Sequence, residues 1–453
     1  MYHIKQMVQS GKNSKQPLRQ LAAPAFVFKP DAEEHIVNLY PEIRYQWIIG
    51  FGSALTDAAA CNYAKMREQT RQAFIRAFFD PAQGLGYTLC RLHINSCDFS
   101  AQEYTYTADG DMSLDSFSVA HDEQAIIPMT LAAQRCAGEE LQLFASPWSP
   151  PAWMKTNGSM IQGGKLKPDF AACWAEYIVK YVQAYRRRGV RLTGLTVQNE
   201  SMAVQTWESC VYTAAEQLAF VRDHLRPALD RAGLQDVQIL IWDHNKERVV
   251  DWTQALCADA AARRAVAGVA FHWYTGSHFD ALRIAHELAP EQLLVHSECC
   301  CAGMDGTAYS GWQQAERYAA DIIGNLNNYM NGWTDWNILL DRDGKPYHNR
   351  RGACTAPMVY EPQDDTVHTT PIYYAIAHFS KFIKPGAVRI GSTSYEERLG
   401  VTAVCNPDGT LAVVMQNPTA RKMPVTLRIG EQAAQLLLPA HTISTLVIGS
   451  EQA

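Results

Sequence analysis

Eight short apolar runs punctuate the middle of the chain: WIIGF near Ile48, TLCRLHI from Thr88, LQLFAS from Leu141, LTGLTV from Leu192, VQILIW from Val237, VAGVAFHW from Val266, QLLVHS from Gln292 and TDWNILL from Thr334. Such runs suit strands packed on both faces, as parallel strands covered by helices are. Between them lie amphipathic stretches with helical spacing. Examples are KMREQTRQAFIRAFF from Lys65, FAACWAEYIVKYVQAYRRRG from Phe170 and AEQLAFVRDHLRPALDRAG from Ala215, the last two ending in glycine where a helix stops. Strand and helix in repetition favour right-handed crossovers, and eight units predict closure into a (β/α)8 TIM barrel. An open doubly wound sheet is the alternative, but no glycine-rich phosphate fingerprint follows any strand.

From about Lys384 the pattern changes to short alternating strands around the turn NPDG, followed by MPVTLRIG and HTISTLVIG. Period-two alternation with tight turns predicts an appended β-sandwich. The expected division is 1–47 as N-terminal strands contributing to the sandwich, 48–383 as the catalytic barrel and 384–453 as the C-terminal β-sandwich.

The totals fit this picture. A chain of 453 residues has room for a barrel of ~250 residues with insertions plus a smaller module. With 40 Lys and Arg against 46 Asp and Glu, it has no basic excess. The tight basic cluster Arg186–Arg188 ends a predicted helix, where it complements the dipole, so no nucleic-acid partner is expected. The first twenty residues lack the apolar core of a secretory signal, and no run approaches the ~20 apolar residues of a membrane span. The expectations are a cytoplasmic protein without stable membrane association, and 12 cysteines held as thiols. An exposed barrel helix or the sandwich offers a surface for a homo-oligomer.

In a barrel of this kind, chemistry gathers where the strands end. The residues there are Asp57; Arg91, His93 and Asp98; Trp148 and Trp153; Asn199 and Glu200; Asp243 and His244; His272, Trp273 and Tyr274; Glu298; and Trp336 with Asn337. Glu200 and Glu298 end strands four and seven, across the barrel mouth from each other. Opposed carboxylates are what glycosidic cleavage needs, one giving a proton to the leaving oxygen and the other attacking the anomeric carbon. Asn199 can aim its amide at a sugar hydroxyl if the strand end is kinked. Trp148, in the proline-stiffened ASPWSPPAW, is expected to escape burial and stack on a sugar. The run HSECCC lacks the spacing of a zinc site, so its thiols are read as packed and no metal is expected.

In order along the chain, GFGSALTDAAA (50–60), SCDFS (96–100), ASPWSPPAWMKTNG (145–158), TVQNE (196–200), HWY (272–274), SECC (297–300), GWTDWN (332–337) and HFSKFI (378–383) resemble glycoside hydrolase family 30. The likeness is to the branch that includes glucosylceramidases and their bacterial relatives. It implies a barrel joined to a β-sandwich built from both chain ends, retention of anomeric configuration and no cofactor. It further implies Glu200 as acid/base and Glu298 as nucleophile. Asp98, Trp148, Asn199 and Trp336 would hold the sugar, Arg91 and Tyr274 would flank the nucleophile, and His272 belongs to the same substrate-binding set.

Two departures stand out. Ser201 occupies a position where the family often carries proline, which predicts a looser loop start. The segment KPYHNRRGACTAP (345–357) does not align cleanly, leaving open whether Asn349, Arg350 or Arg351 lines the aglycone side. Asp98 favours a neutral pyranose, because it would repel a carboxylated sugar. The expected activity is an exo-acting β-glucosidase on a carbohydrate or soluble glycoside. β-Xylosidase, β-fucosidase and endo-β-1,6-glucanase are alternatives on the same scaffold, and a non-catalytic carbohydrate-binding protein is the alternative of another class. Two opposed acids distinguish an enzyme from a binder.

Overall fold

The computed structural model describes residues 1–348 and 352–450. Eight parallel strands close into a barrel in chain order: Gly50–Ala54, Leu89–Ile94, Gln142–Pro147, Leu192–Thr196, Gln238–Asn245, Gly268–His272, Leu293–Glu298 and Gly332–Asn337, the last pairing with the first. They are called barrel strands one to eight below. Their nearly continuous burial follows from the barrel's layered interior on one side and helices on the other.

Two predicted helices are broken. The stretch from Lys65 is the end of one helix, Asp57–Lys65, and the whole of another, Glu68–Phe79, because Met66 and Arg67 adopt extended backbone between them. The stretch from Ala215 runs as Ala214–Phe220, a wide π turn Val221–Leu225 and Arg226–Arg231. Pro227 lies at the start of that last segment, where its missing N–H forces the ladder to reorganise. Gly189 and Gly233 do end their helices, both in the left-handed region.

Strands from both chain ends form one ten-stranded sheet, in which Tyr2–Gly11 pairs antiparallel with Thr442–Ser450. Alternation assigns its two faces. On Leu411–Asn417, Leu411, Val413 and Met415 join Met7, Leu427, Leu438 and Leu446 in the core of the sandwich, while Ala412 and Val414 pack into the barrel's own core. The helix Pro371–Ser380 lies at this seam. Its His378, kept neutral by burial at a pKa of about 3, bonds Thr445 through Nδ1 (2.8 Å) and Ser10 through Nε2 (2.9 Å). Barrel and sandwich thus share a buried polar lock. The end of the predicted eighth run leaves the barrel: Leu339–Asp341 forms a separate small sheet with Met358–Glu361 and Thr366–Thr369. Among the described residues no helix is long and apolar enough to cross a membrane.

Candidate active site

Three strand ends carry an extra residue. The register between strands five and six shifts at Trp242 and Asp243, both with left-handed backbone; between strands six and seven it shifts at Ser297; between strands eight and one, at Trp336. A bulge re-aims side chains that strict alternation would send to opposite faces. Consequently Ser297 and Glu298, though adjacent, both point inward: the Ser297 hydroxyl donates to Asp243 (2.6 Å), and Glu298 meets Arg91. At the end of strand four, left-handed backbone at Glu200 (φ 48°) does the same for Asn199 and Glu200. Such backbone costs about 1–3 kcal/mol and persists only where its surroundings hold it. Here Glu200 N–H donates to the Asp243 carbonyl and Asn199 N–H to that of Pro147, both at 2.8 Å.

Ser201 contributes to that hold. Its hydroxyl donates to the Trp242 carbonyl (2.7 Å) and accepts from Gln217 Nε2 (2.8 Å), in a fully buried position. The looser loop start expected at this residue is therefore absent, because a serine tied on both sides restrains the turn as a proline ring would.

A cavity of about 290 Å³ opens at this end of the barrel, and both Glu200 and Glu298 line it, with Asp98, Trp148, Asn199, Tyr274 and Trp336. Arg91 and His272 are placed differently. Both are wholly buried beneath the cavity and touch the acids, not its open wall. The Arg91 guanidinium donates to Glu298 Oε2 (2.6 Å), Asp243 Oδ2 (2.8 Å), Asn199 Oδ1 (2.9 Å) and Ser146 Oγ (2.9 Å). It also lies over the rings of Trp148 and Trp336, at 4.7 and 5.7 Å. Trp148 is only 1% exposed, contrary to the expectation that prolines would keep it from burial. The indole stacks on Trp336 at 5.1 Å between centroids, and both rings line the cavity.

The two acids sit in unlike surroundings. Glu298 accepts from Arg91 and from the Tyr274 hydroxyl (2.7 Å). Glu200 Oε1 faces Nδ1 of His272 at 3.5 Å and Nδ1 of His244 at 3.6 Å. Burial pushes the Glu200 carboxyl up, but the two imidazoles together with the Gln205 amide, which donates to Oε2 (3.4 Å), pull it down, and the net shift is downward. Burial also opposes charge on His272, yet Glu298, Asp243 and Glu200 raise it to about 9. Asp243 binds His272 Nε2 at 3.0 Å. Burial raises the Asp243 carboxyl, whereas Arg91, His272 and Ser297 hold it well below the ordinary range. Among the described residues, Glu200, His244 and His272 are the one group close enough to share a cation, and the HSECCC run is not part of it. These atoms set the proton affinity of Glu200.

Sequence reasoning placed Asp243 and His244 at a strand end without giving them a role, and it missed Gln205, Trp207, Cys300 and Cys354 on the cavity wall. Trp207, in the polar loop after Glu200, was the available signal. Asn349, Arg350 and Arg351 lie outside the described residues. His348, just before them, is tied to Glu208 (2.9 Å), and its backbone N–H donates to the Asp98 carbonyl (3.1 Å). Burial lowers its pKa and Glu208 raises it, with a net rise to about 9. A folded pKa above the unfolded value of ~6.5 means stability fully present below that pH and lost as pH climbs toward about 9. His348→Gln should flatten the fall in melting temperature across that window; an unchanged slope would count against the pairing.

An eight-stranded barrel with two carboxylates at its mouth and a β-sandwich built from both chain ends defines a class of sugar-cleaving enzymes. This chain belongs to glycoside hydrolase family 30: the family's TIM-barrel domain matches residues 48–383, and its beta sandwich domain matches residues 386–446. It is a glycoside hydrolase with a carbohydrate substrate. Lysosomal acid glucosylceramidase of Mus musculus is 32% identical over 409 residues, 86% of this chain and 79% of that protein. Among solved structures, SrfJ from Salmonella typhimurium superposes with a TM-score of 0.95 at 36% identity over 100% of both chains. The endo-beta1,6-glucanase BT3312 superposes with a TM-score of 0.88 at 27% identity over 99% of both.

Proposed function

We propose that this enzyme is a retaining, exo-acting β-glycosidase whose preferred substrates are β-glucosides. The observation that carries the reading is the pair of glutamates on one cavity with opposite partners: Glu298 on a guanidinium and a phenol, Glu200 on two imidazoles. Glu298, oriented by Arg91 and Tyr274, attacks the anomeric carbon. Glu200 protonates the departing oxygen, leaving a glycosyl ester on Glu298. Water, deprotonated by Glu200, then cleaves the ester and restores the original configuration. The proton that Glu200 must carry has a holder close by in His272.

The reading as an exo enzyme draws support from size. About 290 Å³ lies at the lower edge of small-ligand sites, ~300–1,000 Å³, and suits one ring. The likeness to an endo-β-1,6-glucanase favours a second reading, internal cleavage of a β-1,6-linked polymer. Products decide between them: an exo enzyme releases only monosaccharide from aryl β-glucosides and short β-1,6-linked oligosaccharides, whereas an endo enzyme first shortens the polymer.

Glu200→Ala tests the division of labour. It should retain glycosyl-enzyme formation from substrates with very acidic leaving groups, and azide should restore turnover with a β-glycosyl azide as product. An α-azide, or no rescue, would remove Glu200 from the acid/base role.

A further inference from the structure

The cavity wall holds two thiols that the hydrolytic reaction does not use. Cys300 follows Glu298 by two residues, and Cys354 reaches the same wall from 54 positions further along the chain; their sulfurs are 3.1 Å apart. Alternation separates Cys300 from its neighbours in HSECCC. Cys299 Sγ faces Asp335 and the Thr334 carbonyl, and Cys301 Sγ faces Arg317, each at 3.9 Å.

The backbones carrying the pair are already fastened together. Thr355 N–H donates to the Cys301 carbonyl (2.9 Å), Cys301 N–H to Thr355 Oγ1 (3.2 Å) and Gly303 N–H to the Ala353 carbonyl (3.0 Å). Ala302 and Cys354 face each other across this antiparallel bridge. A disulfide needs ~2.05 Å between sulfurs, so closing the bond asks for a movement of about 1 Å.

We propose that Cys300 and Cys354 form an oxidation-sensitive dithiol, which hydrogen peroxide converts to a disulfide that lowers glycosidase activity reversibly. The inference rests on the glycosidase reading above for its effect on rate, though not for the chemistry of the pair. One sulfur attacks a peroxide oxygen, the O–O bond breaks, and one water leaves. The second sulfur then attacks the sulfenic acid, the S–OH bond breaks, and a second water leaves. In total two thiols lose two electrons and two protons while hydrogen peroxide becomes two waters.

The effect on rate follows from what Cys300 touches. Its sulfur is 3.6 Å from the Tyr274 hydroxyl, which donates to Glu298 Oε1 at 2.7 Å. Drawing that sulfur toward Cys354 disturbs the phenol that orients Glu298 and shifts the wall against which the sugar sits. A displacement of about 1 Å can cost ~10²-fold in rate, so a fall of at least ~10-fold in kcat/KM is expected.

The experiment treats the intact enzyme with hydrogen peroxide, follows hydrolysis of an aryl β-glucoside, and maps disulfides by peptide mass spectrometry. The expected result is a linked Cys300–Cys354 peptide pair appearing in step with the loss of rate, with dithiothreitol reversing both. Cys354→Ser and Cys354→Ala, each measured against its own untreated rate, should show a much smaller dithiothreitol-reversible loss than the parent, any remainder tracking a Cys300 sulfenic acid in the peptide map. The proposal is overturned if rate falls without the linked pair, if the linked pair forms without a change in rate, or if both Cys354 variants respond as the parent does. If the untreated enzyme cleaves no β-glycoside, the functional reading fails instead, and the peptide map still tests the dithiol.

Discussion

Glu298→Gln is expected to lower kcat/KM for every β-glycoside by more than ~10⁴-fold, the scale of loss when a covalent nucleophile is removed. Glutamine keeps the volume and can still accept from the Tyr274 hydroxyl, but its amide oxygen has no charge with which to attack. The fold should survive. Arg91 would lose one anionic partner while keeping Asp243, Asn199 and Ser146. Circular dichroism and melting should therefore resemble those of the parent enzyme as the burst of released aglycone disappears. A variant that still formed a glycosyl-enzyme would move the nucleophile elsewhere.

Arg91→Met is expected to damage both stability and activity. Arg91 is wholly buried with two carboxylates, and Asp243 beside it is also wholly shielded. Removing one partner of a buried ion pair leaves an uncompensated charge, which typically costs about 3–5 kcal/mol. Denaturant unfolding at neutral pH should show a loss of that size. The sign of the pH dependence follows from Asp243. Arg91 holds its carboxyl far below the ordinary range, so the stability it contributes is present above the unfolded carboxylate pKa of ~3.9 and is lost as pH falls below it. Arg91→Met should therefore lie closest to the parent in acid and furthest below it at neutral pH. Activity should fall as well, because Glu298 and Asn199 lose their shared anchor. Arg91→Lys keeps the charge without the fork that reaches four acceptors, and should recover part of the stability while recovering little of the rate. Equal stability of parent and Arg91→Met at neutral pH would show that the pair contributes nothing to the fold.

Much of this architecture is written in short-range pattern. Apolar runs such as LQLFAS and VQILIW, each followed by an amphipathic stretch, specify strand and helix locally, and eight of them in succession leave a closed barrel as the economical way to bury both faces. The strand ends then meet by geometry, so Glu200 and Glu298 could be paired across nearly a hundred residues of sequence. The break before Pro227 was not read from the sequence, although a missing N–H acts where it stands.

Other features depend on which residue lies beside which across the barrel. Whether Ser297 or Glu298 points inward is a matter of register, and one extra residue reverses it; the bulges at Asp243, Ser297 and Trp336 bring adjacent side chains into one site. The proton affinity of Glu200 is lowered overall although burial raises it. The lowering comes from His244 and His272, which approach from strands five and six, and from Gln205. The Cys300–Cys354 contact likewise joins two loops that share no local pattern. Periodicity acts over a few residues and is carried by the chain itself, whereas register, charge pairing and cross-loop contact exist only once distant segments have packed.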